Sequence, residues 1–293
     1  MHFPVMLREV IHYLDPKSNN NFIDCTIGEG GHAIAILERN KPSGKVLGID
    51  HDPVLLEKLK LKIKSADYDK RLVLVCDNFA NLKSIVEEHG FERVSGVLFD
   101  LGLSSWHLEE SRRGFSFLRD ELLDMRYNPQ QNTLTAEAIL NYWSAKEIER
   151  VLRVYGEERF SKRIAEEIVR SRPLKTTVDL IMAVERATPA WYHRRRIHFA
   201  TKTFQALRIA VNNELENLGK ALPQAVETMD RGGRLVVIAF HSLEDRIVKS
   251  FLKEKAKEGT VQILTKKPVR PSKEEFAKNP RSRSARLRAA IKL

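Results

Sequence analysis

The stretch FIDCTIGEGGHA, Phe22 to Ala33, places a glycine-rich loop directly after an apolar, strand-like run and before a helix-like one. Gly28, Gly30 and Ala33 match the G-x-G-x-x-A spacing of a dinucleotide-binding loop, in which glycines let the backbone approach a ligand. Asp50 ends the next strand-like run, where an acid accepts hydrogen bonds from ribose hydroxyls. The stretch therefore predicts the first βα turn of a Rossmann-like sheet.

Carboxylates before and inside this loop argue against a phosphate as its ligand. Asp24 precedes the glycines and Glu29 lies among them. A carboxylate beside a pyrophosphate costs electrostatic energy that a helix N-terminus offsets only in part. S-adenosylmethionine has no phosphate; its sulfonium and ammonium suit these acids, and its carboxylate suits the amides of the helix N-terminus. On the loop alone, a dinucleotide site and an S-adenosylmethionine site both stay open.

Short β-branched or leucine-rich runs alternate with helix-like stretches up to Asp100, which predicts a parallel sheet built from βαβ units. The predicted strands are NFIDCTI (21–27), KVLGID (45–50), RLVLVC (71–76), SGVLFD (95–100), RLVVIAF (234–240) and VQILTK (261–266). Four successive strands end in or run into an acid: Asp24, Asp50, Asp77 and Asp100. Because the carboxyl ends of such strands share one crevice, we expect these acids to lie near one ligand.

Between Leu108 and Arg208 the chain shows turns and amphipathic segments but no comparable strand-like run. Ser144 and Glu147 have the spacing of a capping box, which predicts the start of a helix there. We therefore predict an α/β fold with a helical domain inserted between the fourth and fifth strands. The predicted parts are 1–107 (first part of the core), 108–208 (inserted substrate-recognition domain) and 209–293 (second part of the core, with a basic C-terminal segment).

The charge of the chain favours a polyanionic partner. Lys and Arg number 50 against 39 Asp and Glu, which leaves a net charge of +11 and a pI near 9.6. The segment from Lys266 to Lys292 holds ten basic residues and two acids, and WYHRRRIHF (191–199) interleaves basic and aromatic residues. These two clusters favour RNA or DNA, and the segment from Lys266 is predicted to become ordered only on a partner.

The sequence indicates neither a membrane span nor a disulfide framework. No apolar run approaches the roughly 18 residues of a membrane span, and MHFPVMLREV lacks the features of a signal peptide, so we expect a cytoplasmic protein. Cys25 and Cys76 lie in strand-like runs and are predicted to be buried core thiols. No histidine pair has the spacing of a zinc site, and no metal is expected.

Nine motifs, in order through nearly the whole chain, resemble those of the bacterial RsmH (MraW) methyltransferase family. They are GEGGH (28–32), GIDHDP (48–53), FDLGLSS (99–105), RRGFSF (112–117), LDMR (123–126), YGEERF (155–160), TFQALRI (203–209), FHSLEDRIVK (240–249) and NPRSRSARLR (279–288). The resemblance implies methyl transfer from S-adenosylmethionine to the exocyclic N4 of one cytosine in the decoding region of 16S ribosomal RNA. The substrate implied is that RNA within the small ribosomal subunit or a late precursor.

The same resemblance implies which residues contact the cofactor. They are Gly30, Gly31, His32, Asp50, Phe79, Asp100 and His107. Family members often read SSPQ where this chain has Ser-Ser-Trp-His at 104–107, so His107 departs from the family pattern.

Cytosine N4 is a weak nucleophile because its lone pair is delocalised into the ring, so transfer needs in-line placement and an acceptor for an amino proton. Many amino-methyltransferases carry D-P-P-Y or N-P-P-Y after the fourth strand, whereas this chain has D-L-G-L from Asp100. Asp100 is therefore either the proton acceptor or a residue that positions the cofactor.

Candidate contacts to the RNA are Arg113, Phe115 and His241, with Phe117 and Trp106 as further aromatic candidates for a flipped base. Ser242 and Asp245 have the spacing of a capping box at a strand-to-helix junction. That assignment leaves His241 unexplained, at the carboxyl end of the fifth strand.

Two other functional classes stay open beside the methyltransferase: a dinucleotide-dependent oxidoreductase, and a catalytically silent RNA-binding assembly factor. A homodimer also stays open.

Overall fold

The computed structural model describes residues 4–64, 68 and 70–293 of the chain. It divides into two compact units, one comprising the chain up to Gly102 and from Leu215 onward, the other Leu103–Glu214. The predicted inserted domain, 108–208, lies inside the second unit. Residues 1–3, 65–67 and 69 of the predicted first part of the core lie outside the described residues.

In the described part of the first unit, seven strands form one sheet in the order β3-β2-β1-β4-β5-β7-β6. The strands are β1 Asn21–Asp24, β2 Val46–Asp50, β3 Leu72–Cys76, β4 Val94–Asp100, β5 Met229–Ala239, β6 Val261–Ile263 and β7 Arg286–Lys292. Strands β1 to β5 pair in parallel, and β7 runs antiparallel to both β5 and β6. The prediction of a Rossmann-like α/β sheet is confirmed.

In chain order the described α-helices are α1 Leu7–Leu14, α2 Gly31–Arg39, α3 Pro53–Ile63, α4 Leu82–Glu88, α5 Ser105–Glu109, α6 Ala136–Tyr142, α7 Ala145–Gly156, α8 Ser161–Arg170, α9 Thr177–Ala187, α10 Ala190–His193, α11 Thr201–Asn212, α12 Glu214–Thr228, α13 Ser242–Lys257 and α14 Lys273–Lys278. Helices α5 to α11 belong to the second unit and lie between β4 and β5 in sequence, as the fold prediction requires.

Side chains alternate between the two faces of the sheet, and both faces are covered. On β1, Ile23 joins one hydrophobic cluster with residues of α4, α12 and α13, while Phe22 joins the other with residues of α1, α2 and α3. Burial on both faces explains why the parallel strands read as nearly continuous apolar runs. At roughly 25 cal/mol per Å² of apolar surface, this burial is the main term that holds the sheet together.

The C-terminal segment is ordered, and the prediction that it orders only on a partner is wrong. Its final part forms β7, which lies between β5 and β6 and buries Leu287 and Ala289. Arg288 is also buried, and its Nε lies 2.7 Å from Oδ1 of Asp245 on α13. The high content of basic residues thus gave no sign of a strand, because the charge of its buried arginine is paired with Asp245, which is distant in sequence.

The second unit has its own hydrophobic cluster, formed mainly by α6 to α9 and α11. Helix α7 begins with the predicted capping box, in which Ser144 and Glu147 each bind the other's backbone amide. Among the described residues, no helix is both long and apolar enough to cross a bilayer.

The two cysteines differ from each other. Cys25 is buried as predicted, but Cys76 is exposed because it ends β3, the edge strand of the sheet. The prediction of a buried thiol at Cys76 is wrong.

Candidate functional site

The carboxyl ends of β1, β2 and β4 bring three aspartates to one edge of the sheet. Asp24 pairs in register with Gly48 of β2 and Leu98 of β4, while Asp50 and Asp100 end those two neighbouring strands. The order β2-β1-β4 is also the point at which the strand order reverses direction. Open α/β sheets bind their ligands in the crevice outside such a reversal.

The glycine loop is held against Asp50 by backbone hydrogen bonds. The amide of Gly28 donates to Oδ2 of Asp50 at 2.9 Å, and the amide of Asp52 donates to Oδ1 at 2.9 Å. Gly30 caps α2 with a φ of 80°, in the left-handed region that favours glycine. A Cβ on Gly30 would also lie 2.7 Å from the side chain of Leu59. The loop conformation therefore depends on glycine at this position.

Asp24 is the most buried acid of the crevice, with 1% of its surface exposed. Burial raises the pKa of Asp24 to about 7, and the negative charges of Asp100 and Asp50 act in the same direction. The charge of His32 and the hydrogen bond from the Thr26 amide lower the pKa of Asp24 but do not outweigh burial. The crevice is thus an environment that favours added positive charge.

His32 and Asp100 face each other with hydrogen-bonding capacity to spare. Nε2 of His32 lies 3.4 Å from Oδ2 of Asp100, without the alignment of a hydrogen bond. Both ring nitrogens of His32 and Oδ1 of Asp100 are buried without a hydrogen-bond partner among the described residues. The Asp100 amide donates to the Thr26 hydroxyl at 2.7 Å, which fixes the end of β4. Buried polar atoms of this kind mark a place where a polar ligand is expected.

Phe79 stands at the carboxyl end of β3 and begins a short 3-10 turn, Phe79–Asn81. Asn78 caps this turn by accepting a hydrogen bond from the Ala80 amide at 2.9 Å. The ring of Phe79 packs edge-on against Phe99 at 5.6 Å and is half-buried. The ring is therefore only partly covered, and it leaves apolar surface just beyond the carboxyl end of β3.

Pro4 lies against Gly31 at the start of α2, and Met6 contacts α14, features that sequence reasoning missed. A Cβ on Gly31 would lie 3.0 Å from Pro4, and the Met6 amide donates to Oε1 of Glu275 on α14. Glu275 in turn is close enough to His32 and Asp100 for their charges to affect its pKa, which burial raises. No sequence pattern signals these contacts, because Met6 and Glu275 are 269 positions apart.

His241 is the N-cap of α13, so the predicted capping box of Ser242 and Asp245 is wrong. Glu244 closes the box: its side chain accepts from the His241 amide, and Nδ1 of His241 accepts from the Glu244 amide at 3.4 Å. Asp245 instead binds Arg286 and Arg288 of β7. Helix α13 therefore begins one residue earlier than a cap at Ser242 would predict. A histidine ring nitrogen can also accept the capping hydrogen bond.

His107, Arg113 and Phe115 belong to the second unit and pack there against aromatic neighbours. Nδ1 of His107 lies 2.7 Å from the Ser104 hydroxyl, and its ring meets that of Phe115 at 5.1 Å. Phe115 is buried and stacks on Tyr127 at 5.4 Å. The Arg113 guanidinium donates to the carbonyls of residues 126 and 127 and lies 4.8 Å from the centre of the Trp106 ring.

An open α/β sheet in this strand order, with a glycine loop after its first strand and acids at the ends of its neighbours, is the architecture of S-adenosylmethionine-dependent methyltransferases. Within that class, the chain belongs to the MraW methylase family, whose model matches residues 1–293.

Close relatives cover the chain almost completely. It is 50% identical over 292 residues to the ribosomal RNA small subunit methyltransferase H of Thermotoga neapolitana, a match that covers 99% of this chain and 95% of the relative. It is 44% identical to the protein of the same name from Thermosipho melanesiensis, covering 100% of this chain and 98% of the relative. A solved structure from Clostridium thermocellum, named as an rRNA-methylase, has a TM-score of 0.50 at 13% identity with full coverage of both chains, and this likeness concerns the fold alone.

Proposed function

We propose that the chain transfers a methyl group from S-adenosylmethionine to the exocyclic N4 of one cytosine in the decoding region of 16S ribosomal RNA. The observation that carries the proposal is the crevice, where three aspartates and His32 gather around the glycine loop with buried polar atoms that lack partners among the described residues. The relatives' names, which specify small-subunit ribosomal RNA, support the choice of substrate. We propose that the RNA is presented within the small subunit or a late precursor.

The crevice fits this cofactor better than it fits a dinucleotide. Its carboxylates suit the sulfonium and ammonium groups, and a pyrophosphate would meet the same carboxylates with repulsion. The amides at the N-terminus of α2 suit the cofactor's carboxylate, Asp50 suits the ribose hydroxyls, and the Phe79 ring suits the adenine face. The contacts that we propose are Gly30, Gly31, His32, Asp50, Phe79, Asp100 and His107.

When bound, S-adenosylmethionine supplies a methyl group on a positively charged sulfur. Transfer forms the N4–carbon bond, breaks the sulfur–carbon bond and leaves an amino proton to be removed from N4. Asp100 has one carboxylate oxygen without a partner among the described residues, and its backbone is fixed by Thr26. We propose that Asp100 chiefly positions the cofactor, since the loop after it lacks the prolines and aromatic that present a target amine elsewhere.

The three residues proposed to act on the RNA differ in whether we propose a direct contact. Arg113 and Phe115 hold the chain around Tyr127 in place, so we propose that they act on RNA through the shape of that loop. His241 lies at the carboxyl end of β5, and we propose a direct contact for it. The same function places the enzyme in the cytoplasm, where ribosomal subunits are assembled.

Two measurements test the proposal. Calorimetry should show binding of S-adenosylmethionine and S-adenosylhomocysteine and no binding of NAD or NADP. Methylation mapping of 16S ribosomal RNA, from cells with and without the protein, should show one N4-methylcytosine in the decoding region that depends on it. Binding of a nicotinamide dinucleotide would favour the oxidoreductase, and cofactor binding without any change in the RNA would overturn the assigned target.

A further inference from the structure

Two segments of the second unit, 157–163 and 191–196, are joined through a buried tyrosine. The Tyr192 hydroxyl donates to Oε2 of Glu158 at 2.7 Å, and the Phe160 amide donates to Oε1 of the same carboxylate at 2.9 Å. Both Tyr192 and Glu158 are only 3% exposed. Buried hydrogen bonds of Glu158 therefore hold the two segments together.

The two segments also form an aromatic cluster, and one of its rings is exposed. Phe160, Trp191 and Tyr192 pack edge to face, with ring centres 5.1 to 5.9 Å apart. Trp191 remains 53% exposed. Burying an aromatic ring is strongly favourable, so an indole fixed in place but half in solvent offers a surface for a ligand.

Arginines surround the exposed indole. The guanidinium of Arg159 lies 5.9 Å from the centre of the Trp191 ring, and that of Arg195 lies 5.1 Å from the centre of the Tyr192 ring. The exposed basic residues of the two segments are Arg159, Lys162, Arg163, Arg194, Arg195 and Arg196. The exposed acids beside them are Glu157 and, near His198, Glu185. The surface is thus strongly basic.

We infer that Trp191 is a stacking platform for one base of single-stranded RNA, with Arg194 and Arg196 on the adjoining phosphates. The inference rests on the proposed function and adds to it a recognition surface on the second unit. Proteins bind unpaired nucleotides with aromatic rings held within a basic surface. The base stacks on the ring, and the basic side chains contact the phosphates. RNA is favoured over an anionic membrane, since the exposed apolar side chains of this surface are Trp191 and the neighbouring Ile197, too few to form an extended apolar patch, and exposed arginines lie between them in sequence.

The first experiment measures binding of a single-stranded oligoadenylate of about twelve nucleotides, a length that spans one such site. Trp191→Ala should weaken binding roughly 5- to 100-fold, the range expected for loss of one stacked base. Tyr142→Ala is the matched control, because Tyr142 is an 84% exposed aromatic residue of the same unit outside the basic segments. The control should bind like the wild type, and both variants should keep the wild-type melting temperature and affinity for S-adenosylmethionine.

Two further readouts separate stacking from charge. Trp191→Phe should retain most of the affinity but lose the quenching of tryptophan fluorescence that RNA causes in the wild type. Replacing both Arg194 and Arg196 by alanine should reduce the magnitude of the slope of log affinity against log salt by about 1.4, since each phosphate contact to a single strand contributes about 0.7. Arg150→Ala, at an exposed arginine of α7, should change that slope by less than half as much.

The result that would overturn the inference is unchanged RNA binding by Trp191→Ala. Weakened binding to phosphatidylserine vesicles with RNA binding intact would overturn it in favour of a membrane surface. Failure of the proposed function is distinct, because it would appear as wild-type protein that does not methylate small subunits whatever the behaviour of Trp191.

Discussion

At the scale of single residues, the buried carboxyl at the end of β1 makes stability depend on pH. The pKa of Asp24 is raised to about 7, whereas an unfolded chain titrates near its ordinary value of 3.8. Between these values the folded protein holds a proton that the unfolded chain has lost, so this group favours folding less as pH rises from about 4 to about 7. Asp24→Asn cannot ionise and should abolish that decline.

Urea unfolding at pH 5 and pH 7 measures the effect. Relative to the wild type, the free energy of unfolding of Asp24→Asn should gain about 2 kcal/mol between pH 5 and pH 7, because each unit of pH in this range corresponds to about 1.4 kcal/mol until pH approaches the folded pKa. A wild type and a variant whose stabilities run parallel across this range would contradict the assignment of a raised pKa.

Asp50 has two tasks in the crevice, since it accepts the Gly28 amide and is the proposed partner of the ribose hydroxyls. Asp50→Ala should weaken binding of S-adenosylmethionine by one to two powers of ten, the loss of charge-assisted hydrogen bonds worth roughly 1.5 to 3 kcal/mol. Glu57→Ala is the control, because it removes an exposed acid from the adjacent helix α3. Calorimetry in which both variants bind like the wild type would exclude Asp50 from the site.

For Asp100, kinetics decide between positioning and proton acceptance. If its carboxylate positions the cofactor, Asp100→Asn should weaken cofactor affinity about tenfold, and saturating cofactor should restore most of the single-turnover rate. If its carboxylate accepts the amino proton, the rate should stay roughly 10² to 10⁴ lower while affinity changes little. We expect the first result, and the second would show that our assignment is wrong.

At the scale of the elements, β7 is attached to α13 by a buried ion pair. Asp245→Ala would leave Arg288 buried without its partner, and removing one member of a buried pair costs about 3 to 5 kcal/mol. Lys255→Ala, which breaks a more exposed pair with Glu258 on the same helix, should cost less than about 1 kcal/mol. Equal and small losses in urea unfolding would mean that the buried pair contributes no more than a surface contact.

The same element changes how the basic C-terminal segment should be tested. Deleting it removes β7, so loss of RNA binding after deletion would report unfolding of the sheet. Exposed cations outside the strand are better targets, and Lys273, Lys278 and Arg283 fulfil that condition. Replacing these three by alanine should weaken binding to small subunits and flatten its salt dependence without lowering the melting temperature. A variant that melts early, or that binds with wild-type salt dependence, would count against a role in RNA binding.

The sequence allowed much of the first unit to be predicted, because its signals are local. Apolar runs that end in Asp24, Asp50 and Asp100, each with a turn behind it, are read without knowing the fold. Strand β7 was not predicted because RLRAAIK carries three basic residues among four apolar ones, and the burial of Arg288 depends on Asp245 in another element. The capping role of His241 was not predicted, because capping preferences favour the serine that follows it. In the structure the N-cap of α13 is His241.

At the scale of the whole molecule, the proposed site predicts which backbone segments cofactor binding protects from hydrogen exchange. Hydrogen exchange should slow when S-adenosylmethionine is added, both at the four strand ends, within 22–33, 48–53, 77–81 and 98–102, and in α5, which contains His107. Exchange in α6 to α9 should not change, because ligand binding protects the part of a protein that holds the ligand. Protection confined to those helices would place the cofactor elsewhere.

The position of the insertion also dictates an order of events during synthesis. Strands β4 and β5 are neighbours in the sheet, yet all of Leu103–Glu214 is translated between them, and β7 follows later still. The described residues of the hydrophobic cluster in the second unit, with those packed against it, run from Leu103 to Val211, so all of them have been translated before β5. A nascent chain on the ribosome can therefore complete its helical unit, with the indole of Trp191 in place, while the crevice for the methyl donor is still an unfinished four-stranded sheet.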